Sequence, residues 1–211
     1  VANAGPDQIT CAGGNVTLTA TGGGTYSWTP GGANTAAITV SPATTTTYIV
    51  TVTAANGCTR NDTARVAVNA LPVANTGPDK VICSGTTTSL TATGGGTYVW
   101  QHNGATTSTI YVNPSVATSY IVTVTNSSGC TDRDTVQVSL TPTPTVTGVN
   151  SFFCAGFSSV LDAGNPGLNY LWAPGGETTQ TIVVSSPGLY NVVVTNAAGC
   201  VSVSSNNIVI N

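Results

Sequence analysis

The stretch Tyr48-Ile49-Val50-Thr51-Val52-Thr53, closed by Asn56-Gly57-Cys58, limits the possible folds more than any other feature, because the chain writes it three times. It returns as residues 120–125 with Gly129-Cys130, and again as Tyr190-Asn191-Val192-Val193-Val194-Thr195 with Asn196, Gly199 and Cys200. Strict alternation of large apolar and small polar side chains is the period of a half-buried strand, and Asn-Gly or Ala-Gly after it is hairpin-turn chemistry. One strand and turn is therefore used three times, and the fold must house three copies of it.

The rest of the chain keeps step. From Cys11 to Cys83, Trp28 to Trp100, Tyr48 to Tyr120 and Cys58 to Cys130 the offset is 72, and the next step is 71, 72, 70 and 70. Residues 1–72 and 73–144 agree at a little over half their positions, whereas the third unit keeps mainly the Cys, Trp, Tyr and valine frame. The boundaries fall near Asn69-Ala70-Leu71-Pro72 and Thr141-Pro142-Thr143-Pro144, where proline stops ladder pairing and favours an extended, stiff link. The expected domains are 1–70, 71–142 and 143–211.

Composition narrows the class. With four basic and seven acidic residues among 211, no Met, and an abundance of Thr, Val, Gly and Ala, no segment carries a capped helical period, and an all-β fold follows. The four cations, Arg60, Arg65, Lys80 and Arg133, make no patch able to neutralise a run of phosphates or dock on anionic lipid. Nucleic acid and membrane surfaces are excluded as expected partners. No apolar run approaches the about 18 residues of a membrane span, and Val1 opens no signal sequence, so the chain reads as a mature or excised piece.

Strands are expected near residues 7–10, 16–21, 25–29, 36–40, 47–54 and 59–68 of the first unit. Val16, Leu18 and Ala20 share a face, as do Tyr26 and Trp28. Ile38 and Val40, then Tyr48, Val50 and Val52, then Ala64, Val66 and Val68 complete the inward set. Two sheets of three or four such strands close a core about 10 Å thick. Thr21-Gly22-Gly23-Gly24-Thr25 is a turn, repeated at Gly94 to Gly96, and the third unit substitutes the stiffer Gly164-Asn165-Pro166-Gly167-Leu168-Asn169.

Val1-Ala2-Asn3-Ala4-Gly5-Pro6-Asp7-Gln8, then Val16 and Leu18, Tyr26-Ser27-Trp28, and the Tyr48 strand resemble the opening, middle and close of polycystic-kidney-disease-type (PKD) and related bacterial immunoglobulin-like repeats. The likeness spans all three units. The second keeps Gly77-Pro78-Asp79, while the third has Thr147-Gly148-Val149-Asn150. With the cysteines and the Gly-Cys-Thr ending, the chain is most similar to repeats of secreted and cell-surface proteins of Bacteroidetes-type bacteria, large adhesins included. The resemblance implies three tandem immunoglobulin-like β-sandwiches outside the cell.

Six cysteines, two per unit, lie 47, 47 and 46 residues apart. Paired within units, they give Cys11 to Cys58, Cys83 to Cys130 and Cys154 to Cys200. A metal centre would call for C-x-x-C clusters with histidine, and His102 is the single histidine, so no metal or other cofactor is expected. A unit of roughly 70 residues has a small core that a crosslink would support, and crosslinks of this kind belong to an oxidising, extracellular setting.

Enzyme chemistry finds no constellation. The carboxylates Asp7, Asp62, Asp79, Asp132, Asp134, Asp162 and Glu177 form no spaced pair that recurs, as glycoside hydrolysis would require. Asp132 with Asp134 offers too few oxygens for calcium, and Trp28, Trp100 and Trp172 are expected in the core rather than as sugar platforms. Thr-x-Thr runs such as Thr51-Val52-Thr53 resemble ice-binding ladders, but Thr on solvated strand faces is ordinary strand propensity, and ice binding is a remote third reading. One short motif stands out. Asp62-Thr63-Ala64 and Asp134-Thr135-Val136 occupy the same place in their units and resemble the O-glycosylation acceptor of Bacteroidetes-type secreted proteins, with Thr63 and Thr135 pointing outward. A plain exposed Asp-Thr at a strand start is the competing reading.

The expectation is a non-enzymatic structural array: a stalk, fibre or adhesin segment at a bacterial surface. Its partners would be neighbouring immunoglobulin-like domains of the same or another copy, joined head to tail in a filament, with surface glycans a further possibility. The alternative is a carbohydrate-binding accessory region of a secreted polysaccharide-degrading enzyme. Exposed aromatics would favour that, and the candidates are Tyr111 and the group Phe152, Phe153 and Phe157.

Overall fold

In the computed structural model the described residues are 1–146, 151–154 and 156–210, residues 151–153 and 205–210 by their backbone alone. Every regular element among them is a strand. The first repeat contains β1 (Gln8–Cys11), β2 (Val16–Thr19), β3 (Thr25–Thr29), β4 (Ala37–Val40), β5 (Thr46–Thr53) and β6 (Thr59–Asn69). These fall within two residues of the strands expected from alternation. One sheet has the order β1-β6-β5-β3 and the other pairs β2 with β4. β1 runs parallel to β6, and the other pairings are antiparallel. A short parallel first strand beside a long last strand, with the second and fourth strands on the facing sheet, is an immunoglobulin-like sandwich.

The pattern recurs. β7 (Lys80–Cys83), β8 (Thr88–Thr91), β9 (Thr97–Trp100), β10 (Thr109–Val112), β11 (Thr118–Thr125) and β12 (Thr131–Thr141) form the sheets β7-β12-β11-β9 and β8-β10. β13 (Ser151–Phe153), β14 (Ser159–Asp162), β15 (Asn169–Ala173), β16 (Thr181–Val184), β17 (Gly188–Thr195) and β18 (Val201–Ile210) form β13-β18-β17-β15 and β14-β16. The chain is thus an all-β tandem of immunoglobulin-like sandwiches. Its contacts gather into two compact units. One holds residues 1–75, 92–108 and 122–134, the other residues 76–91, 109–121 and 135–211, so the middle repeat contributes to both. The segment 147–150, where the Gly-Pro-Asp opening is replaced, lies outside the described residues.

In the first sandwich Leu18, Ala20, Trp28, Ile38, Tyr48, Val50, Val52, Ala64 and Val66 are buried together with Ala4, and Val16, Tyr26 and Val40 pack half-buried around them. Their strand alternates are mainly Thr and Ser, with Arg65, Ala37, Ala67 and the exposed Ile49 among them, so the pleat sorts core from surface. The tryptophan sits at the centre each time: Trp28, Trp100 and Trp172 are each at most 1 % exposed. A buried indole must place its N–H, and each Nε1 donates to the backbone carbonyl seven residues on: Thr35 at 3.0 Å, Thr107 at 3.0 Å and Thr179 at 2.9 Å.

The triple glycine has a steric cause beyond turn flexibility. A Cβ on Gly24 would stand 2.1 Å from the Thr53 carbonyl oxygen, and one on Gly96 the same distance from that of Thr125. In the third repeat the loop is held by side chains. Asn165, with φ of 51°, donates its amide to the Thr145 and Ala163 carbonyls, while Tyr170 Oη donates to the Gly164 and Asn165 carbonyls. Asparagine tolerates that left-handed backbone better than most residues.

Truncating Trp28 removes the centre of its core and orphans the Thr35 carbonyl. Trp28→Ala should cost about 3–5 kcal/mol, read by hydrogen exchange as lost amide protection in β2, β3 and β5, with β14 to β17 unchanged because repeat stability is local. Equal protection in mutant and wild type would place the indole outside the core.

Candidate functional site

The cysteines do not pair within repeats. Cys11 ends β1 opposite Asn69, the last residue of β6, whereas Cys58 immediately precedes Thr59, the first. An 11-residue strand spans roughly 35 Å at about 3.3 Å per residue, and a disulfide requires Cα atoms within about 7 Å. The long last strand therefore holds the two cysteines of a repeat apart. In the second repeat, β12 separates Cys83, opposite Thr141, from Cys130 in the same way.

Each first cysteine instead meets the second cysteine of the following repeat. Cys11 is bonded to Cys130 and Cys83 to Cys200, with Cα separations of 5.6 and 5.5 Å. The expected bonds Cys11–Cys58, Cys83–Cys130 and Cys154–Cys200 are corrected accordingly, and Cys58 and Cys154 are exposed free thiols. A polar cap sits beside each bond. Asn126, in the turn before Cys130, donates Nδ2–H to the Ala70 carbonyl at 2.8 Å, and Asn196 does the same to Pro142 at 3.0 Å. The Oδ1 atoms of these asparagines accept the Cys130 and Cys200 amides at 3.0 and 2.9 Å. One side chain thus fixes both the cysteine turn and the chain leaving the preceding repeat. At residues 70–72 and 142–144 the polypeptide and a disulfide run in parallel as two covalent connections.

The carboxylates serve as backbone clamps. Asp7 and Asp79 accept the Arg65 and Gln137 amides, each at 2.8 Å, locking the parallel first strand onto the last one. Asp62 Oδ2 accepts Ala4 N–H at 2.7 Å, and Asp132 Oδ2 accepts Ala74 N–H at 2.9 Å. Accepting Ala4 N–H and then Thr63 N–H holds the Asp62 carboxyl below the usual carboxylate value, against a smaller upward push from burial. Asp162 is lowered similarly by the Gly164 amide and the Gln180 side chain.

Thr63 and Thr135 both stand exposed, each immediately before an inward-facing residue, Ala64 or Val136. The aspartate of the first Asp-Thr pair has the clamp role described for Asp62, a structural reason for its presence that the motif alone did not reveal. The three tryptophans are interior and offer no stacking surface. Tyr111 on β10 is 77 % exposed and Phe157 is 69 % exposed, while the side chains of Phe152 and Phe153 lie outside the described residues. His102 is exposed in the turn after Trp100.

No protein-family model matches the sequence, and no curated protein matches it. Among solved structures the chain is similar to the I-band fragment I67-I69 from titin, at 14 % identity and a TM-score of 0.44, over 98 % of this chain and 96 % of that one. It is similar to the insect immune protein hemolin at 12 % identity and a TM-score of 0.38, over 98 % and 74 %. For the I9-I11 tandem from titin the values are 12 % and 0.36, over 98 % and 97 %.

Two outcomes follow from this geometry. Protease cleavage confined to residues 70–72 or 142–144 should leave both fragments together on a non-reducing gel and release them only on reduction, with peptide mapping joining Cys11 to Cys130 and Cys83 to Cys200. Fragments that separate without reductant would restore pairing within repeats. For Asp62, a folded-state value lowered below the unfolded one means its stabilising contribution is present above the ordinary carboxylate range and is lost as pH falls through the lowered value. The protection of the Ala4 amide, taken relative to its intrinsic exchange rate at each pH, should fall on acidification through that window, and Asp62→Ala should show the lower protection already at neutral pH.

Proposed function

We propose that this chain is part of an extracellular structural array, a stalk, fibre or adhesin segment at a bacterial surface, composed of domains 1–70, 71–142 and 143–211. The observation that supports it is the pair of disulfides that each tie one repeat to the next. A ligand-binding module needs a shaped site, whereas a load-bearing array needs junctions that do not part. Doubling the covalent path at each junction serves the second need: the link tolerates pulling and the loss of one peptide bond. Disulfides fit an oxidising compartment, and a surface with few Lys or Arg presents few sites to trypsin-like proteases.

Kinship with PKD-type repeats of Bacteroidetes-type surface proteins belongs to this proposal, as do O-linked glycans on the outward Thr63 and Thr135. The partners are neighbouring immunoglobulin-like domains, with surface glycans as a possible adhesion target. Material taken from the native surface supplies the test. Electron microscopy should reveal thin threads beaded at roughly 35–45 Å, one sandwich length, and the peptides containing Thr63 and Thr135 should exceed their polypeptide mass. Compact particles that bind a glycan array would favour the carbohydrate-binding alternative and end the stalk reading.

A further inference from the structure

We propose that Cys154 of one copy of this chain and Cys58 of another form an intermolecular disulfide, extending the cross-repeat staple into a covalent head-to-tail polymer. The inference rests on the connectivity of the two existing bonds and stands apart from the stalk reading.

The rule is directional: the first cysteine of a repeat bonds the second cysteine of the repeat after it, at sequence separations of 119 and 117. Applied forward from Cys154 or backward from Cys58, it leads outside this sequence. Pairing the two within one chain would reverse its direction, since Cys58 belongs to the first repeat and Cys154 to the third. The thiols left over are thus a donor of the first kind and an acceptor of the second, complementary between copies.

Both lie in backbone frames shared by their bonded counterparts. Around Cys58, the Ala54 amide donates to the Cys58 carbonyl at 2.9 Å and the Gly57 amide to Ala54 at 2.9 Å. The corresponding bonds are 2.9 and 3.0 Å around Cys130, and 3.0 and 3.0 Å around Cys200. Beyond Cys154, the Phe157 amide donates to the Cys154 carbonyl at 3.1 Å, as Gly14 does to Cys11 at 2.8 Å and Thr86 to Cys83 at 3.1 Å. Burial separates the bonded from the free. Cys130 and Cys200 are each 1 % exposed and Cys11 and Cys83 are half-buried, while Cys58 and Cys154 are exposed. Cys58 and Cys154 thus keep the backbone frames of bonded cysteines while their thiols stand exposed. One feature is missing from the Cys58 side. Ala54 stands where Asn126 and Asn196 cap the junction, and Asn56 holds the Cys58 amide instead, at 3.1 Å, so this joint relies on the disulfide without the amide cap.

Closure requires an oxidant, and a small-molecule disulfide such as oxidised glutathione suffices. The Cys58 thiolate displaces one thiol from it to give a mixed disulfide. The Cys154 thiolate of the other copy then attacks the Cys58 sulfur and expels the second thiol. Two protein thiols lose two protons and two electrons, and one small disulfide becomes two thiols.

The test incubates the 211-residue chain with oxidised glutathione at neutral pH, follows it on non-reducing gels, and maps the crosslinked peptides. Expected is a ladder of oligomers containing a Cys58–Cys154 peptide and collapsing on reduction. Cys58→Ser and Cys154→Ser should each abolish the ladder without changing the melting temperature, and a mixture of the two variants should stop at dimers. Symmetric Cys58–Cys58 or Cys154–Cys154 bonds, or a monomer with both thiols still alkylatable, would overturn the proposal; the latter would place the partner cysteines in adjoining repeats of a longer polypeptide. Compact native particles would end the stalk reading while leaving this connectivity untouched.

Discussion

A covalent bond between consecutive repeats is the constraint on which the rest of the structure depends. Each sandwich is small: among the described residues the first has a core of ten buried side chains around Trp28 and the third one of eight around Trp172, and domains of this size bury too little surface to be very stable alone. Closing a loop as long as Cys11 to Cys130, with a separation of 119, removes chain entropy worth up to about 5 kcal/mol in principle. Placed within repeats, the bonds would each support one core alone. Placed across junctions, they make stability and connectivity one property, since a repeat cannot leave its neighbour while the bond holds.

What forces that placement is the long last strand. β6, β12 and β18 accept a parallel strand at one end and follow directly from the cysteine turn at the other, so they separate the two cysteines of a repeat by nearly the length of the domain. The aspartate clamps reinforce the arrangement. Asp7 and Asp79 hold the parallel strand in register through backbone amides, and that register sets Cys11 and Cys83 opposite Asn69 and Thr141, where the chain departs for the next repeat. A carboxylate accepting a backbone amide is a strong hydrogen bond, and in a chain with seven acidic residues such positions are used sparingly. Charge is spent here on geometry.

The asparagine cap connects these layers. Asn126 and Asn196 each donate to the strand end of the preceding repeat and accept the cysteine amide of their own turn, so turn, linker and disulfide form one assembly. Ala54 breaks the series in the first repeat. That single difference distinguishes an internal junction from the one that Cys58 would make.

Much of this was legible in advance. Alternation located the strands within two residues, because burial on one face of a pleated sheet must appear as a period of two, and the Tyr-x-Trp spacing identified the buried indoles. The length of the last strand was legible too, but that Cys11 lies beside its far end, opposite Asn69, depends on the parallel register of β1. The clamp role of Asp62 had no sequence signature, because a carboxylate meeting a backbone amide 58 residues away depends on how two strands come together. By itself the sequence determined the repeat, the strands, their inward faces and the all-β class, for these follow from local periodicity and backbone propensity. Which cysteine meets which was decided by the tertiary structure alone, since that partnership is set by strand length and parallel register across a junction, distances in space that no spacing along the chain records.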